Sequence, residues 1–450
     1  MPRSPRVPYQ EVMSDKQPAS VPADDIRWLL QQVLGRDLPL RVCDWDGNVR
    51  GPGNAPMVVF RRRRALTRML YAPGEIGLAR AFVTGDLDFE GDLVQLLNLL
   101  AGELSDLGQA LPRTTRRTMV RRAMKLHALR WAPRRPELEL RRPRRRLHSL
   151  KGDRRAISHH YDVGNDFYRL FLGSTMAYSC AYWRSEDAGL DSAQRDKFAL
   201  ICAKLDLREG QRMLDIGCGW GGLLIHAAQH HGIRGVGITL SKEQQAYATE
   251  AARLAGVGDR VEFRLQDYRE VVDGPFDAIA SVGMAEHVGS QNMATYASQL
   301  ERLLAPGGRL LNHAIASVAP PPKDRRSLLR DGRTFIDRYV FPDGELLTLS
   351  DTLHALEGAG FEVRDVEGLR EHYALTLRSW VNNLRDNWDE AVRATSDQRA
   401  RIWWLYMAGS AAVFERGRIT IFQTLAVKQT AAGEARLPLT RGALIGDLLN

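Results

Sequence analysis

The densest chemistry in the chain lies in residues 212–222, RMLDIGCGWGG. An apolar run of Met213, Leu214 and Ile216 leads straight into Gly217, Gly219, Gly221 and Gly222, with Asp215 just before the turn and Cys218 within it. Glycines let a backbone turn sharply and approach a ligand closely, and the helix that follows aims unpaired N–H groups at whatever occupies the turn. Gly217, Gly219 and Gly222 approximate the G-x-G-x-x-G dinucleotide spacing. The glycines alone therefore admit a nicotinamide dinucleotide or S-adenosylmethionine equally. Other polar residues follow later apolar runs in the same way: Ser241 to Gln244, Asp267 and Tyr268, Glu286 and His287, and His313.

Those runs are the strands that must position the residues. Short stretches rich in Val, Ile and Leu predict strands at 212–216, 235–239, 261–266, 276–282 and 309–315, with helical stretches between them, and 361–366 and 420–428 complete a set of seven. This β-α-β order predicts an α/β, Rossmann-like sheet, in which ligands bind beyond the C-terminal strand ends where strand order reverses. All four groups above then meet the glycine turn at one edge. Residues 153–430 form this catalytic domain, preceded by a smaller α+β domain over 23–112 with strands in PLRVCDW and PMVVFRRR and helices near 76–82 and 93–100. Residues 1–22 and 431–450 read as a disordered leader and a tail.

Charge is unevenly placed. Between Arg113 and Gly152 there are 15 Lys plus Arg against Glu137 and Glu139, a balance of +13, so the remainder of the +9 chain carries −4. With its prolines this segment reads as a linker, and Met124, Leu126, Leu129 and Trp131 interleaved with arginine suit a segment lying on an anionic bilayer. Nucleic acid would feel the same field, but no recognised reading motif accompanies it. No apolar run approaches the length of a membrane span, and the N-terminus lacks the apolar core of a signal peptide, so a cytoplasmic, peripheral location is expected. Cys43, Cys180, Cys202 and Cys218 are scattered without a C-x-x-C pair, and the adjacent pairs His159–His160 and His230–His231 lack metal-ligand spacing; neither disulfides nor a metal site is expected.

The strings HYDVGNDFY, MAYSCAYW, LDIGCGWGG, GITLS, SVGMAEHVG and RYVFPDG, in this order, resemble the cyclopropane-fatty-acyl-phospholipid synthases and their mycolic-acid relatives, over about 158–428. The resemblance implies a class I methyltransferase fold with a seven-stranded, mostly parallel sheet and a lipid-tethering N-terminal domain. It also implies a homodimer and transfer of a methylene from S-adenosylmethionine to the cis double bond of a phospholipid acyl chain. By motif, the cofactor contacts fall on Tyr178, Ser179, Asp215, Gly217, Cys218, Gly219, Gly221, Thr239, Gln244, Gln266 and Asp267. The second strand ends GITLS, without the acid that normally meets a dinucleotide ribose, which argues against NAD.

The same resemblance implies a bound bicarbonate as base, held by Cys180, Glu286, His313, Ile315 and Tyr339, with Ile315 acting through its backbone. Methylation of an isolated alkene builds positive charge on carbon, so a dry channel lined by ring faces is expected, with Tyr161, Phe167, Tyr168, Tyr339 and Trp380 as candidates. Loss of a different proton would give a methylene-branched chain instead of a ring. A non-catalytic lipid-binding protein and a methyltransferase acting on soluble acceptors or nucleic acid are the remaining readings.

Overall fold

The computed structural model describes residues 21–34, 39–72, 74–104, 113–128, 131–140, 163–318, 334–341 and 344–446. Tyr161, Leu129 and the His159–His160 pair lie outside them. The first part of the chain forms a four-stranded sheet, β1 (Arg41–Cys43), β2 (Val49–Arg50), β3 (Met57–Phe60) and β4 (Leu87–Glu90), in the order β2-β1-β3-β4. The helices Arg64–Tyr71, Glu75–Val83 and Leu93–Leu104 accompany it.

The second sheet has seven strands: β5 (Arg212–Ile216), β6 (Arg234–Thr239), β7 (Val261–Leu265), β8 (Phe276–Val282), β9 (Leu304–Ser317), β10 (Glu362–Gly368) and β11 (Ile419–Val427). Their order is β10-β11-β9-β8-β5-β6-β7. Only β11 runs against its neighbours; every other pairing is parallel. This is the Rossmann-like sheet expected from the seven runs and the class I methyltransferase topology that the resemblance implies. Alternate residues of β5 explain the layers: Met213 packs with Phe198, Ile201, Leu224 and Ala248 on one face, and Leu214 and Ile216 pack with Tyr296, Leu300 and Leu356 on the other. Strand order reverses between β5 and β8, which leaves a crevice beyond their C-terminal ends.

The segment expected as a linker is built into the fold where it is described. Helix Arg113–Lys125 sets Arg122 Nη1 and Lys125 Nζ 2.6 and 2.8 Å from the Asp25 carboxylate, and Ala123, Leu126 and Ala128 are buried. Further along, Glu139 is buried between Arg80 at 2.7 Å and Arg338, and the Arg134 carbonyl accepts from Arg68. Leu126 therefore faces the core, whereas Met124 and Trp131 face water, Trp131 being 96% exposed. The N-terminal elements also lie against helix Asp397–Glu415, where Arg401 pairs with Asp88 at 3.3 Å and packs its guanidinium over Phe82. One apolar core runs from Ile26 through Phe82 and Trp403 to Ile421.

Candidate active site

The glycine turn is held open by its neighbours. Gly217 and Cys218 both donate their N–H to the Ile238 carbonyl at 3.0 Å, which ties the turn to the end of β6. Gly221, at φ 86°, caps helix Gly222–His231, and a Cβ there would sit 2.7 Å from Phe263 Cζ and 2.9 Å from Ala248 Cβ. Only glycine fits that position. Gly219, at φ 55°, would meet nothing within 4 Å, so its open side faces the crevice.

That crevice is a cavity lined by Tyr178, Ser179, Asp215, Gly217, Cys218, Gly219, Thr239, Gln244, Gln266 and Asp267. Of the eleven residues expected at the cofactor, ten line it, and Gly221 shapes it from behind. Its rim is pre-formed: Thr239 Oγ1 donates to Gln244 Oε1 at 2.7 Å, and Ser241 caps helix Lys242–Leu254 by accepting from the Gln244 N–H. Asp267 caps the turn Tyr268–Glu270 and binds Arg269 through both carboxylate oxygens at 2.8 Å. Backbone donors at a helix start, hydroxyls and an amide suit a ligand with an amino acid end, a ribose and a base.

A buried cation that the motifs did not single out stands at the floor. Lys197, on helix Leu190–Lys204, is almost fully buried, lines the cavity and donates to Ser179 Oγ at 2.8 Å. Burial lowers its ammonium to about 7, opposed by Cys180 and Asp215. Burial likewise raises Asp215 to about 7, opposed by Lys197. The two groups hold each other's charge in an environment that disfavours both.

None of the residues expected at the base lines this cavity, but Cys180 follows its lining residue Ser179, Glu286 falls between Met284 and His287, and His313 pairs with Val282 across the sheet. Glu286, on the short helix Ala285–Val288, accepts from the Ile315 N–H through Oε1 at 2.7 Å, while its Oε2 is shut off from solvent with no partner among the described residues. Burial lifts this carboxyl to about 7 against the lowering pull of the Ile315 bond. His313 is buried; its Nδ1 lies 3.4 Å from Gln423 Nε2, and its Nε2 has no partner among the described residues. Burial holds its imidazolium well below the ordinary range, helped by Lys197 and Lys204. Cys180 is buried with Sγ 3.3 Å from the Ala181 carbonyl and 3.7 Å from that of Leu369, and burial pushes its thiol far up, so it is a neutral S–H.

Two of these residues already have partners. Ile315 spends its N–H on Glu286 instead of leaving it for an anion. Tyr339 is buried in the same core as Cys180, yet its hydroxyl donates to Glu139 Oε2 at 3.2 Å in the cluster with Arg80. The phenol is thus engaged by a segment 200 residues upstream, and motif order carried no trace of that pairing. Two other phenols belong to the same core as Cys180. Tyr406 bonds Tyr178 and Ser410 and feels the Glu286 charge. Tyr373 donates its N–H to the Leu369 carbonyl that also faces Cys180.

The stretch before the sheet supplies both a buried helix and a wall of the cavity. Helix Asn165–Leu172 buries Phe167, Tyr168, Phe171 and Leu172, and Met176 to Ser179 line the cavity. Tyr168 contacts Trp220 at 4.8 Å and Trp403 at 5.2 Å, and Tyr178 contacts Trp380 at 5.3 Å between ring centroids. Trp220 and Trp403 were not among the expected rings; Trp220 stands within the glycine turn and Trp403 in the run IWWLY.

The model of the mycolic acid cyclopropane synthetase family matches residues 148–424. A probable fatty acid methyltransferase of Pseudomonas putida is 41% identical over 406 residues, 90% of this chain and 95% of the relative. The cyclopropane-fatty-acyl-phospholipid synthase of Escherichia coli is 38% identical over 283 residues, 62% of this chain and 70% of the relative. Among solved structures, mycolic acid cyclopropane synthase CmaA1 complexed with SAH and CTAB superposes with a TM-score of 0.55 at 30% identity, over 64% of this chain and 99% of that one. With the sheet order and the glycine-built cavity, these likenesses make the chain a member of the mycolic acid cyclopropane synthetase family of S-adenosylmethionine-dependent methyltransferases.

Proposed function

We propose that the chain adds a methylene from S-adenosylmethionine to the cis double bond of unsaturated phospholipid acyl chains and closes it to a cyclopropane ring, with bicarbonate as base. The observation that carries this reading is the pair of buried polar atoms without a partner among the described residues, Glu286 Oε2 and His313 Nε2, on residues that neighbour the cavity-lining His287 in sequence and Val282 across the sheet. Buried polar atoms without partners mark a place for a polar ligand.

S-adenosylmethionine, when bound, supplies a methyl group on a positively charged sulfur. In this reading the turn from Asp215 to Gly221, with Tyr178 and Ser179, holds its amino acid end, and Thr239 and Gln244 face its ribose. Asp267 binds Arg269 through both oxygens, yet a carboxylate has about four acceptor sites, so Asp267 or Gln266 accepts from the adenine amino group. The rings of Tyr168, Tyr178 and Trp380 exclude water and lend a few kcal/mol at most to developing positive charge, about 0.5–2 kcal/mol for each well-placed face.

Bicarbonate, when bound, supplies a small oxyanion able to take one proton. His313 offers it an N–H, and Cys180 a thiol if the S–H turns from its carbonyl. Glu286, with its carboxyl near 7, changes protonation at neutral pH and can pass a proton outward. Ile315 orients Glu286 and Tyr339 braces the surrounding core through Glu139; neither needs to touch the anion.

A second reading is favoured by the relative that spans 90% of this chain, a probable fatty acid methyltransferase: loss of the other proton would leave a methylene branch. Incubation with S-adenosylmethionine, bicarbonate and unsaturated phospholipid vesicles, followed by gas chromatography of the acyl esters, separates ring, branch and no reaction.

Access to the lipid is proposed through the basic helix Arg113–Lys125, with exposed Val120 and Met124 and the nearby Trp131 entering the surface of an anionic bilayer. Among the described residues no helix is long and apolar enough to cross a membrane. Binding to anionic vesicles should fall steeply with salt and weaken in Trp131→Ala; binding equal on neutral vesicles would exclude this docking mode.

A further inference from the structure

Glu367 on β10, Gln423 on β11 and His313 on β9 are direct cross-strand partners, so their side chains form one polar row across three adjacent strands. Lys204, the last residue of helix Leu190–Lys204, is fully buried over this row. Its Nζ donates to Glu367 Oε2 at 2.6 Å and to Gln423 Oε1 at 3.0 Å, and lies 3.4 Å from Asp365 Oδ2. The far end of the row is the long contact between Gln423 Nε2 and His313 Nδ1 at 3.4 Å.

The hydrogen-bonding inventory of these groups leaves one arrangement. An ammonium has donors and no lone pair, so the Gln423 amide must turn its oxygen toward Lys204. Its NH2 then faces the imidazole. An NH2 has no lone pair to give, so Nδ1 must be bare and accept. A neutral ring with Nδ1 bare carries its proton on Nε2. The surrounding cations Lys197 and Lys204, together with burial, keep that ring neutral. With the amide reversed, Nδ1 would carry the proton, and Nε2 would present a lone pair that repels an anion.

We propose that Lys204 and Gln423 are positioning residues that fix His313 in the Nε2–H tautomer and so make its unpartnered ring nitrogen a donor to a small oxyanion. The inference rests on the bicarbonate reading only for the identity of that anion. Second partners of this kind commonly set the tautomer of a functional histidine.

The test is ring 15N NMR of histidine-labelled full-length protein, with the His313 signals assigned by their loss in His313→Gln. The wild type is expected to show Nε2 protonated and Nδ1 bare. In Gln423→Glu the acceptor-only carboxylate should draw the proton to Nδ1, and Lys204→Met, which frees the amide to turn, should show both tautomers. A wild-type ring protonated on Nδ1 overturns the proposal without any variant; so does an unchanged tautomer in a folded Gln423→Glu protein. In turnover, Gln423→Glu should raise the half-saturating bicarbonate concentration about tenfold with that for S-adenosylmethionine unchanged. An equal rise in both would mean general damage and count against the positioning role. If the wild-type tautomer is as stated and bicarbonate leaves the rate unaltered, the relay stands and the bicarbonate reading falls.

Discussion

Glu286→Gln should remove a pH-dependent loss of stability that the wild type carries. The Glu286 carboxyl is raised from 4.5 to about 7 because it is buried, with the Ile315 N–H and its own backbone N–H opposing this only in part. A carboxyl raised in the folded state favours folding while protonated; this contribution is full below pH 4.5 and is lost as pH rises through 7. At about 1.4 kcal/mol per pH unit the loss is about 3 kcal/mol by pH 8. Glutamine keeps the carbonyl oxygen that accepts from Ile315 and cannot ionise. Asp215 and Lys197 titrate in the same range but are common to both proteins, so the difference between them isolates Glu286. Urea unfolding at pH 5 and pH 8 in bicarbonate-free buffer reads the effect. In melting, with about 2 cal/mol/K of unfolding entropy per residue, about 3 kcal/mol corresponds to roughly 3 °C. The variant should gain on the wild type by this amount between the two pH values while turnover collapses. Parallel pH profiles would refute a buried, reluctant carboxylate at this position.

Gly221→Ala should cost about 2–5 kcal/mol, from left-handed backbone strain and from overlap with Phe263 and Ala248. Gly219→Ala, with open space around it, should cost only about 1 kcal/mol yet weaken S-adenosylmethionine binding; melting curves and titration calorimetry separate the two, and equal melting losses would contradict the geometry. Glu139→Gln should lower stability by about 3 kcal/mol, because it leaves the guanidinium groups of Arg80 and Arg338 buried against a neutral partner. A denaturant midpoint unchanged from wild type would show that this cluster does not brace the fold.

The sheet was legible because its strands are short apolar runs, and those at 212–216 and 276–282 coincide with β5 and β8. β9 is longer than its apolar run, since Ala305 to Gly308 reads as a turn while Leu304 pairs with Phe276 across the sheet. The cavity was legible for the same reason: glycines and polar residues at strand ends are local signals. What stayed hidden depends on long-range partners. The basic segment reads as self-repelling charge until Asp25 is folded against Arg122 and Lys125 and the segment's own Glu139 finds Arg80 and Arg338. Tyr339 reads as a site phenol until Glu139 takes its hydroxyl. Lys197 and Lys204 left one trace, for with Ile201 they recur at helical spacing on the buried face of their helix. Lysines on such a face announce buried charge. Gln423, within an apolar strand, gave no sign of its place beside His313.

The most direct test of the account is the acyl composition of phospholipid vesicles after incubation with the protein, S-adenosylmethionine and bicarbonate. A gain of one methylene per modified chain, as a cyclopropane ring and dependent on bicarbonate, is the predicted result. Unaltered chains under conditions where the protein binds S-adenosylmethionine and the vesicles would contradict it.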